Sequence, residues 1–177
     1  MHNVAYIAGI ICGLLICVVI GVVFRLRQGK TGGRGKVEYD ERQIVARGKA
    51  YKAGFFTTLF YSLLFFALSV TEIPFFQSVT GMLAGVFLGI AVFAVTAIRH
   101  DAYLGLNEKK GSFLVLGVIV TLANLVSGVV AGMDGELMMD GQLTHRCLNP
   151  MAGVLFLVIV VALLLHDRKA GEAEEEE

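Results

Sequence analysis

Two short stretches bring acid and base together: Asp40-Glu41-Arg42-Gln43, and Arg99-His100-Asp101 with Tyr103 two residues on. Carboxylates beside guanidinium and imidazole groups can pair, move protons or dock a charged partner. Each stretch lies at the mouth of an apolar run, and the two runs follow one another in the chain. The spacing predicts that Asp40, Glu41 or Arg42 pairs with Arg99 or Asp101 and fixes how one helix meets the next. A structural role outranks catalysis. No convincing nucleophile–base pair occurs, and there is no helix-borne metal motif of the H-E-x-x-H kind.

Other residues of chemical interest are weaker. Asn124, with Thr121 and Ser127 nearby, is the central polar candidate within an apolar run, and it shares a face with Gly128 and Gly132. It predicts an interhelical hydrogen bond, with substrate contact as the alternative. His100-Asp101 is echoed by His166-Asp167, which reads either as a trace of an internal repeat or as polar residues collecting at one border. Met133, Asp134, Glu136, Met138, Met139, Asp140, His145 and Cys147 mix soft and imidazole ligands without the spacing of a closed metal site. Cys12 and Cys17 read as apolar filling and part of a small-residue stripe. GKTGGRGK, at 29–36, lacks the phosphate-loop order and follows no strand. The reading is therefore no cofactor, no metal and no catalytic residue.

The elements that must position these residues are apolar. Of 177 residues, 56% are hydrophobic, and mean hydropathy is +0.72, which excludes an ordinary soluble domain. Twenty-one glycines against two prolines suit close-packed helices. Zero net charge gives no bulk field for nucleic acid. Five runs qualify as spans, at about 4–24, 50–70, 78–98, 112–132 and 148–165. Between the first two lies a basic, Gly-rich linker drawn to anionic headgroups, followed by a helix start. Asp40 with Gln43 three residues on predicts a capping box, with a helix from Glu41 to about Val70. Ala46, Ala50, Gly54, Thr58 and Ser62 make one small-residue stripe, and Gly81, Gly85 and Gly89 a doubled G-x-x-x-G. Residues 171–177 read as a solvated, disordered acidic tail.

Charge gives the orientation. Residues 25–52 hold nine Lys and Arg, 99–110 three and 168–169 two, whereas the opposite side holds Arg146 alone. The positive-inside rule then puts the N-terminus outside and the C-terminus in the cytoplasm. No Lys, Arg, Asp or Glu falls deep in a span, which counts against a charge-relay transporter.

Tyr39-Asp40-Glu41-Arg42-Gln43, then Arg47-Gly48-Lys49-Ala50-Tyr51-Lys52 and Phe55, and later Asp101-Ala102-Tyr103, resemble a family of small uncharacterised integral membrane proteins of Firmicutes. That family carries a D-E-R-Q/E motif before one span and a D-A-Y motif after a later one. The resemblance covers residues 39–110. It implies no activity, but a regulatory partner, because some relatives are encoded beside small helix-turn-helix repressors. The expectation is an all-α membrane protein, a five-helix bundle in the cell membrane. Its function is a non-enzymatic one, engaging a cytoplasmic protein partner through residues 25–52 and 99–110. A small-solute transporter, or an accessory subunit of one, with a site near Asn124 is the alternative, and an intramembrane enzyme ranks last. The small-residue stripes leave a homo-oligomer open.

Overall fold

The computed structural model describes residues 37–71 and 73–175. The first apolar run, the Gly-rich linker as far as Lys36, and their cysteines lie outside them. Among the described residues, four helices are long and apolar enough to cross a membrane. They are α1 (Glu41–Leu68), α3 (Val79–Arg99), α4 (Lys110–Met133) and α5 (Leu148–Glu175). A one-turn helix α2, Pro74–Gln77, joins α1 to α3. A two-stranded hairpin and a 3-10 turn, His145–Cys147, join α4 to α5.

The helix limits follow from local chemistry. Asp40 is the N-cap of α1: its carboxylate accepts from Gln43 N–H at 2.6 Å, and Gln43 Oε1 accepts from Asp40 N–H at 3.2 Å. That closes the capping box, so α1 begins at Glu41. Pro74 occupies the first turn of α2, where its missing N–H costs nothing. Ser78 caps α3 by accepting from Gly81 N–H. The link between α4 and α5 contains strands β1 (Met138–Met139) and β2 (Gln142–Leu143) around Asp140-Gly141. Both turn residues have positive φ, the backbone of a tight primed hairpin turn. α5 continues to Glu175, so residues 171–175 extend a helix rather than forming a disordered run, in keeping with the helix propensity of Ala and Glu.

The helices alternate in direction and pack in the neighbour order α1–α3–α5–α4. Residues 38–49, 100–110 and 166–168 therefore share one end, and 73–78 and 134–147 the other. Arg42, Arg47, Lys49, Lys52, Arg99, Lys109, Lys110 and Arg168 belong to the first end, and Arg146 to the second. Between α3 and α5 lies a core of Ala94, Ile98, Leu155, Ile159 and Leu163. The outward faces are apolar: Phe60, Phe66 and Val79 are 71%, 77% and 76% exposed, which fits lipid as the surrounding solvent.

Glycine sets the α1–α3 distance. A Cβ on Gly85 would enter the Tyr61 ring, one on Gly89 would strike Thr58 Oγ1, and one on Gly54 would lie 2.7 Å from Gly89 O. The close approach lets Tyr61 Oη donate to Gly81 O at 2.8 Å, a bond between helices. The contact stripe on α1 is Gln43, Arg47, Ala50, Gly54, Thr58, Tyr61 and Phe65. It mixes steps of four and three and so tracks the 3.6-residue period, whereas the strict four-residue stripe through Ala46 and Ser62 drifts off the contact. Gly48, on α1 away from this contact, has nothing within 4 Å of an added Cβ.

Gly85→Ala should therefore cost about 1–3 kcal/mol, and Gly48→Ala should gain up to about 1 kcal/mol. Thermal unfolding in detergent checks the order, with G48A at or above wild type and G85A below it; the reverse order contradicts the packing.

Candidate functional site

The two polar stretches meet at the shared end, but not through the expected ion pairs. α3 ends at His100, and the chain turns at Asp101, whose φ is +53°. Asp101 N–H bonds Ile98 O at 3.0 Å, and Ala102 N–H bonds Ala97 O at 2.8 Å. This is a Schellman stop with Asp in the position that usually goes to Gly. Ala97 and Ala102 are both fully buried and close the apolar contact beneath it. The loop then runs on to Lys109 with main-chain carbonyls facing α1.

The first two turns of α1 supply the donors. Gln43 Nε2 donates to Asp101 O at 2.5 Å and, more weakly, to Leu104 O at 3.4 Å. Arg47 Nη1 donates to Ala102 O at 2.9 Å and Tyr103 O at 3.1 Å, and its Nη2 reaches Tyr51 Oη at 3.3 Å. The guanidinium carbon lies 4.3 Å from the Tyr39 ring centroid, a cation–π contact that holds the fork in place. A third tether joins the segment before the cap to the loop: Leu106 N–H bonds Glu38 O at 2.8 Å, and Glu38 N–H bonds Asn107 Oδ1 at 3.2 Å. Gln43 thus has two tasks. Its carbonyl oxygen completes the cap while its amide nitrogen holds the loop, a division a Glu side chain cannot make.

The remaining predicted residues take other places. Glu41, Arg42, Arg99 and His100 are exposed, and among the described residues none of them forms an ion pair. The predicted pairing of Asp40, Glu41 or Arg42 with Arg99 or Asp101 is therefore corrected. Asp40 is committed to its cap, and Asp101 Oδ1 instead faces His166 Nε2 at 3.5 Å. Asp167, next along, pairs with Lys110 at the start of α4. The two His-Asp stretches thus interlock through Asp101 and His166. Lys110 and Asp167 are 37% and 46% exposed and Asp101 is 81% exposed, so each pair is worth about 0–1 kcal/mol. Hydrogen bonds from a guanidinium to a carbonyl reach about 1.5–3 kcal/mol. The carbonyl contacts, not the ion pairs, hold this end together.

Tyr103 packs between Phe93 and Phe113, with centroids 6.5 and 5.5 Å away. Burial raises its phenol pKa above the ordinary 10.0, outweighing the lowering by Arg47, so the ring is neutral. Beside it, Gln43, Asp101, Glu108, Lys110 and His166 help line a cavity of about 270 Å³.

Among the described residues, Asn124 makes no bond to another helix. Its Nδ2 donates to Val120 O of its own turn at 2.8 Å. This i−4 bond engages one donor of the amide within its own turn. Nearer the other end of α4, Asn149 Nδ2 on α5 donates to Ser127 Oγ at 2.7 Å. Thr121 Oγ1 is buried without a partner among the described residues, and none of the cavities described is lined by Asn124. In the hairpin region, Glu136 pairs with Arg146 at 3.2 Å and Cys147 Sγ meets Leu137 O. Among the described residues, no group of three or more His, Cys, Asp and Glu is arranged to hold a metal.

Reading the sequence for charge pairs missed Arg47 and Tyr39 as members of the cluster. The available signal was spacing: Arg47 follows Gln43 by four residues and so shares its face. Compared with protein-family models, curated proteins and solved structures, the chain matches none.

Gln43→Glu keeps an acceptor for the cap but loses the donor to Asp101 O, at a cost of about 1–3 kcal/mol. Trypsin should then cut faster at Arg99, Lys109 and Lys110, and unfolding should move to lower temperature. Asn124→Leu should shift stability by less than about 1 kcal/mol. Unchanged cleavage in Q43E would contradict the tether.

Proposed function

We propose that this chain is a non-enzymatic membrane protein with five spans, residues 4–24 being the first, set in the cell membrane. Its N-terminus lies outside and its C-terminus in the cytoplasm. Charge supports the orientation: the described helices gather Lys and Arg at the end that holds 38–49 and 100–110, leaving Arg146 at the other. The fifth span rests on the uncharged length of residues 4–24.

That basic end, in this reading, receives a cytoplasmic protein partner, a regulator of the kind the Firmicutes resemblance implies. The carrying observation is that the two segments bearing the resemblance, 39–55 and 101–103, are bonded into one body through Gln43 and Arg47. Above it stand two apolar side chains, Ile44 at 59% and Leu106 at 62% exposure, on backbone already fixed by the cap and by Glu38. Exposed apolar groups on a preformed surface are suitable anchors for a partner. A transporter site near Asn124 has less support, because its amide donates within its own helix and none of the cavities described is lined by it.

Purification of the tagged full chain from native membranes in mild detergent, with mass spectrometry, tests this. One protein should co-purify in stoichiometric amount and fall at least about tenfold with Leu106→Asp, a surface change that leaves the thermal midpoint in place. Recovery of the protein alone with a bound solute, lost on changing Asn124, would overturn it in favour of the transporter.

A further inference from the structure

On the side of α1 away from the loop, a groove of about 420 Å³ opens between the first turns of α1 and the end of α3. It is lined by Glu41, Arg42, Val45, Ala46, Lys49 and His100. Neither Arg42 nor Lys49 has an ion-pair partner among the described residues, and both are exposed. They are seven residues apart with Val45 and Ala46 between them, so they fall on one face two turns apart. The same face continues to Phe56 and Phe60, which are 53% and 71% exposed. It is therefore cationic at the top and apolar below.

Depth matches this polarity. The 28 residues of α1 rise about 42 Å, roughly 12 Å more than a hydrocarbon core. The surplus is about eight residues, which puts Glu41 through Lys49 among the headgroups and Phe56 and Phe60 among the acyl chains.

We propose that this groove binds one glycerophospholipid with an anionic, hydroxyl-bearing headgroup, of the phosphatidylglycerol class. Arg42 and Lys49 hold the phosphodiester, a headgroup hydroxyl donates to the Glu41 carboxylate, and an acyl chain follows Phe56 and Phe60. Two cations against one carboxylate leave the groove net positive, which favours an anionic over a zwitterionic headgroup. Glu41 repels a doubly charged phosphate monoester, so free phosphate and phosphatidic acid are disfavoured. The inference needs the membrane-embedded part of the reading above, but neither its orientation nor its partner.

The test is native mass spectrometry of the full chain in nanodiscs holding equal amounts of phosphatidylglycerol, phosphatidylethanolamine and phosphatidylcholine with identical chains. Wild type should retain one phosphatidylglycerol with a preference of at least roughly fivefold, the effect of one basic group near an anionic surface. Arg42→Gln with Lys49→Gln should bring retention to parity at an unchanged thermal midpoint, and Glu41→Gln should raise retention of added phosphatidic acid. Inorganic phosphate at millimolar level should displace nothing. Parity in wild type, a preference for phosphatidylethanolamine, a preference that survives the double variant, or displacement by phosphate overturns the proposal. Failure of the chain to enter nanodiscs overturns the membrane reading along with it.

Discussion

The carbonyls of Asp101 through Leu104 need donors, and the polar end is arranged around supplying them. A helix end leaves four carbonyls without partners within the helix. The Schellman turn at Asp101 uses Ala97 O and Ile98 O, and the loop that follows presents four more. Gln43 and Arg47 meet those four from α1. Ion pairs between exposed side chains, which salt screens, could not hold a loop as firmly.

That supply depends on packing three turns away. Gln43 and Arg47 lie on the α1 stripe that continues through Ala50, Gly54 and Thr58 to Tyr61 and Phe65. The glycine contacts fix the separation and register of α1 and α3, because a Cβ at Gly54, Gly85 or Gly89 would meet backbone or a side chain. With the register set, the donors arrive at the loop. In lipid, apolar burial contributes little to helix association, so close van der Waals approach and bonds such as Tyr61 Oη to Gly81 O take on that role. At the far end, Phe65 packs against Phe75 and Phe76 from α2. The hairpin turn lies against the same link, with Pro74 3.2 Å from where a Cβ on Gly141 would stand.

Much of this was legible in the residues. Asp40 with Gln43 announced the start of α1, because the capping box is a local pattern of side-chain types. The nearness of Asp40–Gln43 and Arg99–Tyr103 followed from helix order alone. What the sequence could not display was the chemistry of the contact. Every residue carries a carbonyl, so a carbonyl acceptor leaves no mark in the sequence, and the search for charge partners settled on Arg42 and Arg99, which face outward. Asp101 went to His166, 65 positions away, because α3 and α5 run side by side in the same direction. Asn124 found its acceptor within its own turn. Asp140-Gly141 was a readable hairpin signal that the apolar setting obscured.

The most direct test of the central claim is amide hydrogen exchange on the wild-type chain in lipid nanodiscs, followed at Ala102 and Leu106. Their N–H groups bond Ala97 O and Glu38 O, on either side of the carbonyls that α1 holds. If the loop is fastened to α1, both should exchange as slowly as the last turn of α3, and both should open together. Exchange at the rate of an unstructured loop, with α3 still protected, would show that Gln43 and Arg47 do not hold it.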